Sequence, residues 1–469
     1  MNNQYLTIWD LVLTPIYLGV LIFIARRYRD KHYPIGNPLR KYYLPGLYVK
    51  FFGAIFIAIV YQYYYRGGDT FNYFSQSRII NSSLNESFST WLKLILRVSS
   101  DTDPKLYPYA SQIEFYNDPA SHMVNAIGAL FGLLNFTSYL PIALLFAFFS
   151  YTGIWAMYKT FANIYPHLIK HLAIAFLFIP STFVWGSAVF KDTICMFGLG
   201  WMTYTSFKIF INKDFSLKNF LLLGLSFYLI AVVKIYILLA FLPAISLWVL
   251  LTYSHRIASS GVRFIVWVLF FGVIAAASVF FAGQFSKELN KYSLEKIAQT
   301  AGNTRGWISY ATDVEGSSYD LGEFDPTIKG MFRKFPAGVV VTLFRPFPWE
   351  AKKLIVGLSA LEAMVFLFAT LVSFIRNGFF GFFKRVFSDP HLTFFLCFSL
   401  IFAFAVGVSS FNFGALSRYK IPCLPFYAAL LIVLSIKAKP VKPVENLKLR
   451  KIRPEWTNAM NVEKQEKPG

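Results

Sequence analysis

The chain alternates long apolar runs with short polar connections. Most runs are about 18 to 22 residues long, the length a helix needs to cross a bilayer. The pattern predicts helices over about Leu6–Ala25, Leu47–Tyr64, Tyr139–Tyr158, Leu172–Ala188, Thr193–Ile211 and Phe220–Val233. Further helices are predicted over about Ile237–Tyr253, Phe264–Phe281, Leu354–Ile375, Leu392–Val408 and Ile421–Ile436. The expected class is therefore an all-α polytopic membrane protein with about eleven spans. The run from Met123 to Leu134 is too short to cross and reads as interfacial or re-entrant. Residues Phe88 to Arg97 form an amphipathic stretch suited to the membrane interface.

Basic residues orient the runs. Arg26, Arg27, Arg29, Lys31, Arg40 and Lys41 follow the first run and assign the next connection to the cytoplasm. The N-terminus is then outside, and strict alternation puts the tail inside. Two long connections, about residues 65–138 and 283–353, become extracytoplasmic loops. Residues 1–436 read as one transmembrane domain, and 437–469 as a basic, Pro- and Lys-rich cytoplasmic tail without a core of its own. The first run has no basic segment before it and no small-residue cleavage site after it, so it is expected to stay as an anchor.

Composition agrees with this layout. Of 469 residues, 56% are hydrophobic and only 15% charged, less charge than a soluble chain carries. In a soluble protein a net charge of +21 would suggest nucleic acid. Here the bias of basic residues toward cytoplasmic loops accounts for most of it, and no nucleic-acid partner is expected. Cys195, Cys397 and Cys423 lie in or beside apolar runs and offer neither a disulfide framework nor a metal-binding spacing. The six histidines are scattered, and no P-loop, nucleophile elbow, zincin or dinucleotide motif occurs.

The candidate chemistry collects on one predicted face. Arg66, Gly67, Gly68 and Asp69 follow the second run directly, so the chain leaves hydrocarbon, turns on two glycines and presents a carboxylate. The same side receives Tyr73, Lys191, Asp192, Lys234, Arg333, Arg345 and Arg418. Lys191, Lys234 and Arg418 stand in very short outer turns, where the positive-inside rule disfavours them. Cations held there call for an anion: a nearby carboxylate, a lipid headgroup or the phosphate of a lipid-linked substrate. The plain alternative is that Lys191 pairs with Asp192 and the others reach to headgroups. Glu362 is read as the acid inside a helix, paired with an outer base.

Two segments carry a resemblance. Arg66-Gly67-Gly68-Asp69-Thr70-Phe71-Asn72-Tyr73 is similar to the Arg-x-Gly-x-Asp-x-x-x-Tyr motif early in EpsG-like, Wzy-type polysaccharide polymerases. An acid in the first large outer loop also resembles the catalytic aspartate of the GT-C membrane glycosyltransferases. Ser417 to Pro425 is similar to the Arg-Tyr-x-x-Pro-x-x-Pro segment near the last helices of many GT-C proteins. Two features depart from these patterns: a helix precedes the acid, and Lys191-Asp192 stands where EpsG-like proteins tend to carry Arg-Gln.

The resemblance implies a GT-C-like layout in a bacterial inner membrane. It implies transfer of sugar from polyprenyl-phosphate- or pyrophosphate-linked saccharides at the outer face, with Asp69 as the base. Arg66, Tyr73, Lys191, Asp192, Lys234, Arg345 and Arg418 are then substrate-binding candidates, and Tyr73, Trp307 and Trp349 read equally as sugar platforms or as interface anchors. No organic cofactor or dedicated metal site is expected, although Asp69 with Asp192 could share a divalent metal. The alternatives are a transporter or flippase for a lipid-linked or anionic solute and a non-catalytic membrane component of envelope assembly.

Overall fold

The computed structural model describes residues 5–134, 138–254, 259, 261, 318–322 and 328–436. The predicted run Phe264–Phe281, most of the second long connection, Trp307 and the basic tail lie outside these residues. The chain divides into a unit Met1–Ser435 and a unit Ile436–Gly469. Among the described residues the only regular elements are helices; Ser318 and Asn412 form an isolated antiparallel bridge.

Among the described residues seven helices are long and apolar enough to cross a membrane, or eight if one bent pair counts as a single span. They are the helices of a multi-pass membrane protein. α1 (Ile8–His32) and α2 (Arg40–Ile59, prolonged by a π turn Val60–Tyr64) come first. α7 (Tyr139–Ile164), α10 (Lys191–Ser206) and α11 (Leu217–Ser254) follow. α13 (Leu354–Asn377) and, after the short α14 (Phe379–Ser388), α15 (Pro390–Ser410) complete the seven. The bent pair is α16 (Phe413–Tyr419) with α17 (Leu424–Ser435), which meet at 69°.

Of the roughly eleven expected runs, Phe264–Phe281 lies outside the described residues, and the rest of the difference has identifiable reasons. The predicted run Leu172–Ala188 is broken into α8 (Ile169–Leu177) and α9 (Pro180–Trp185), because Pro180 removes a backbone donor in mid-run. The two runs on either side of Lys234 form one 38-residue element, interrupted at Lys234 by φ −150°, ψ 78°. A straight helix of that length would span about 57 Å, nearly twice the hydrocarbon thickness, so the break divides it into two halves.

Small residues bring the inner helices together. α10 packs along α7 and α11, and α2 along α7. A Cβ at Gly200 would stand 2.0 Å from the Gly153 carbonyl oxygen, so the backbones of α10 and α7 touch. α1 shows the opposite behaviour, with Ile8, Trp9, Leu11, Ile16 and Phe23 exposed along its length, as befits a lipid-facing helix. Buried on α1 with Leu21 and Ala25 is Asp10, an acid within the first span that the sequence reading passed over. It is buried and accepts hydrogen bonds from Thr7 N (2.9 Å) and Leu140 N (2.8 Å), serving the N-termini of α1 and α7 together.

The first long connection is not an open loop. It folds into α3 (Asp69–Ser82), α4 (Phe88–Ile95), α5 (Tyr107–Ala110) and α6 (Pro119–Gly132). Ile80, Trp91, Leu94, Leu106, Ile113, Tyr116 and Ala129 bury into a small core of their own. Trp91 and Leu94 of the amphipathic stretch point into this core, while Phe88, Leu92 and Leu96 are exposed. Part of the second long connection is likewise helical. α12 (Ile328–Phe344) packs on α15 and buries Val339, Val341 and Leu343.

Two internal polar groups brace the broken run. Glu362 of α13 accepts a hydrogen bond from Ser181 N at the N-terminal end of α9 (2.8 Å), not from a basic side chain. Lys50 of α2, also passed over in the sequence, is buried and donates to the Gly186 carbonyl at the C-terminal end of α9. An acid at the start and a base at the end of this short helix suit its dipole.

Candidate functional site

The end of α2, the starts of α3 and α10, the break in α11 and the last turn of α16 meet at one place. α10 begins at Lys191, so Asp192 occupies its first turn, where the free N–H groups favour an acid. The break within α11 places Lys234 beside it. The short helix α16 is started by Asn412, whose Oδ1 accepts from Gly414 N (2.7 Å), and delivers Arg418 in its last turn.

These three side chains form a buried ionic cluster. Lys234 Nζ lies 2.5 Å from Asp192 Oδ1, and Arg418 Nε lies 2.5 Å from Asp192 Oδ2. The Asp192 carboxylate is fully enclosed. Burying one carboxylate with two cations is tolerable only because each oxygen has a charged donor of its own. Aromatic faces complete the shell: Arg418 lies 4.1 Å above the Phe190 ring and Lys234 4.4 Å above Tyr419.

Asp69 joins the cluster from outside. Arg418 Nη1 donates to Asp69 Oδ2 at 2.8 Å, while the Asp69 side chain stays 56% exposed. The turn before it has three successive positive φ values: Arg66 at 57°, Gly67 at 141° and Gly68 at 118°. A Cβ on Gly68 would lie 2.9 Å from the Tyr61 ring, so this turn needs glycine for space as well as for conformation. Asp69 is the first residue of α3, again at a helix N-terminus. A pocket of about 210 Å³ opens over Asp69 and Arg418, walled by Tyr61, Tyr65, Trp185 and Tyr419.

The remaining candidates take other places. Lys191 pairs with Asp118 at 3.3 Å and not with Asp192, whose oxygens are taken by Lys234 and Arg418. Asp118 also caps α6 through Ser121 N (3.2 Å). Burial raises the Asp118 carboxyl, but its Ser121 hydrogen bond and the Lys191 charge outweigh that and leave it below its ordinary value. Arg345 pairs with Glu350 of its own loop (Nε to Oε2, 3.0 Å) and lies 5.2 Å from the centre of the Phe413 ring. Arg66 is exposed on the turn. Tyr73 is buried at the α3–α6 contact, with Phe115 5.9 Å away, so its ring offers no platform to a sugar. Burial pushes its phenol up to about 12. Trp349 is exposed and stacks on Phe347 at 4.9 Å.

Asp118, Phe190, Tyr61 and Trp185 were not singled out from the sequence, and Tyr419 entered only as part of the Arg-Tyr-x-x-Pro-x-x-Pro segment. Only Asp118-Pro119 carried a signal, that of an N-cap followed by proline at the first helical position. Between Asp69 and Asp192 stands the guanidinium of Arg418, where a shared divalent metal would have to sit. Among the described residues no group of three or more His, Cys, Asp or Glu side chains is placed to hold a metal.

The Lys191–Asp118 pair makes a modest prediction. Lys191→Ala should cost at most about 1 kcal/mol, since both partners are partly exposed. Asp118→Ala should cost about 0.5–2 kcal/mol, because it removes a helix cap as well. Thermal midpoints of the two variants in detergent would check the order.

No family model, no curated protein and no solved structure matches this chain.

Proposed function

We propose that this protein is a membrane glycosyltransferase or polysaccharide polymerase acting on polyprenyl-phosphate-linked sugars at the extracytoplasmic face of a bacterial inner membrane. One observation carries the reading: a half-exposed carboxylate and a buried guanidinium share an aromatic-walled pocket at a helix-end face of the bundle. The distribution of basic residues supports placing that face outside, with the N-terminus out and the tail in.

Sugar transfer needs a base for the acceptor hydroxyl and a positive group for the departing phosphate. Asp69 takes the hydroxyl proton as the acceptor oxygen bonds to the anomeric carbon. The bond from that carbon to the lipid phosphate oxygen breaks, and the phosphate or pyrophosphate leaves with the electron pair. Arg418 meets the developing charge, held rigid by Asp192 and Lys234 behind it. Tyr65, an exposed ring at the pocket, offers surface for a sugar.

The test is the surface-glycan profile of cells carrying Asp69→Asn, with protein level and membrane insertion measured alongside. The expected result is loss of one surface polysaccharide and build-up of its lipid-linked precursor at normal protein level. A normal profile from a well-expressed variant would remove Asp69 from the chemistry.

A second reading draws on the broken helices. α8–α9, α11 at Lys234 and α16–α17 are all interrupted within or beside apolar segments. Discontinuous helices with charges at their breaks are a mark of transporters. A transporter would move the lipid-linked saccharide across the bilayer with its glycosidic and phosphate bonds intact.

A further inference from the structure

Arg418 serves two carboxylates of very different mobility. Its Nε holds Asp192, which is enclosed on α10 and has Lys234 as a second partner. Its Nη1 holds Asp69, which is 56% exposed and hangs on the turn of three positive-φ residues. Asp192 is therefore a permanent anchor, and Asp69 is a partner that can leave. A carboxylate whose oxygen is engaged by a guanidinium is poorly placed to take a proton from a hydroxyl. The phosphate oxygen of a lipid-linked donor requires the same N–H edge of Arg418, and Asp69 and Arg418 line the same small pocket.

We infer that Asp69 occupies the donor-phosphate position on Arg418 until the donor arrives, and that the phosphate displaces it. This rests on the transferase reading. The exchange leaves the local charge balanced, since one anion replaces another on the same guanidinium. It frees the base only when the leaving group is already bound, which imposes an order of donor first and acceptor second. It also assigns the Arg66–Gly68 turn a purpose: a hinge that lets Asp69 swing from Arg418 toward the acceptor. Gly67 and Gly68 permit that motion, while the Gly67 N–H to Tyr61 O bond (2.9 Å) fixes the base of the hinge.

The experiment uses the full-length protein in nanodiscs, titrated with polyprenyl phosphate. Binding affinity and amide hydrogen exchange are measured for the wild type, Asp69→Asn and Arg418→Gln. In the wild type the probe should raise exchange across residues 66–72, because Asp69 lets go of Arg418. Asp69→Asn should bind the probe about two- to fivefold more tightly, the range expected when a weak competing ion pair is removed. Its turn should already exchange quickly and not respond to the probe. Arg418→Gln should bind at least tenfold more weakly. Arg418-dependent binding that instead protects residues 66–72, or that weakens in Asp69→Asn, would overturn the displacement and leave the transferase reading standing. Binding indifferent to Arg418→Gln would overturn both, because the phosphate would then lie elsewhere.

Discussion

Asp192→Asn should destabilise the protein by about 3–5 kcal/mol, the usual cost of removing one member of a buried ion cluster. Asparagine keeps the shape of the side chain but leaves Lys234 and Arg418 enclosed without their shared anion. The two cations do not suffer equally. Lys234 can shed its proton, whereas a guanidinium stays charged, and Arg418 retains only the half-exposed Asp69. The double variant Asp192→Asn/Lys234→Met should therefore regain part of the loss, beyond what two independent changes would give. Thermal midpoints in detergent for the two single variants and the double variant measure this. An Asp192→Asn protein as stable as the wild type would mean that the cluster contributes nothing net to the fold.

Arg418→Lys should destabilise the protein less than Asp192→Asn does, since the positive charge is kept, and reduce sugar transfer about 10²- to 10³-fold, the cost of losing one aligned donor at a developing anion. Lysine keeps the positive charge. It has no planar fork, so it cannot hold Asp192 at one edge and a second anion at the other. Its ammonium also gives up the broad contact with the Phe190 ring. The fall should appear in the transfer rate more than in protein level. Lipid-linked substrate consumption by membranes containing matched amounts of each protein is the measurement. Equal rates would show that Arg418 meets the leaving group only as a point charge.

The sequence made the meeting of these residues legible, and the reason is geometric. Alternation of apolar runs, oriented by basic clusters such as Arg26 to Lys31, sends every second connection to the same side. Asp69, Asp192, Lys234 and Arg418 fall on four such connections, and the ion pairs join all four. Which cation meets which acid was not legible. Lys191 and Asp192 are neighbours in sequence, yet successive residues on a helix point about 100° apart, and Lys191 turns to Asp118 instead. Asp118 lies in a connection that reads as loop, because the helices α3 to α6 are short and only partly apolar. Their shared core around Ile80, Trp91 and Ile113 arises from contacts distant in sequence.

The broken spans were hidden for a different reason. Hydropathy averages over a window, so the run from Leu172 to Ala188 reads as one helix despite Pro180. The structure interrupts it, and Lys50 and Glu362 supply the polar partners that irregular backbone needs inside an apolar bundle. A lysine near the predicted start of a helix carries no sign that it will end buried against a carbonyl on another. Tyr73 illustrates the converse error. Its place in a predicted outer loop made it a candidate sugar platform, but helical spacing from Asp69 turns it into the α3–α6 contact.

The central claim is that Asp69 performs chemistry on a lipid-linked sugar. Its most direct test is reconstitution of the wild type and Asp69→Asn into proteoliposomes loaded with polyprenyl-pyrophosphate-linked oligosaccharide. The account predicts that wild-type vesicles release the polyprenyl phosphate or pyrophosphate and lengthen the saccharide. Asp69→Asn vesicles should bind the lipid and leave it unchanged. Equal turnover by the two proteins, or saccharide-lipid carried across the bilayer intact, would contradict it.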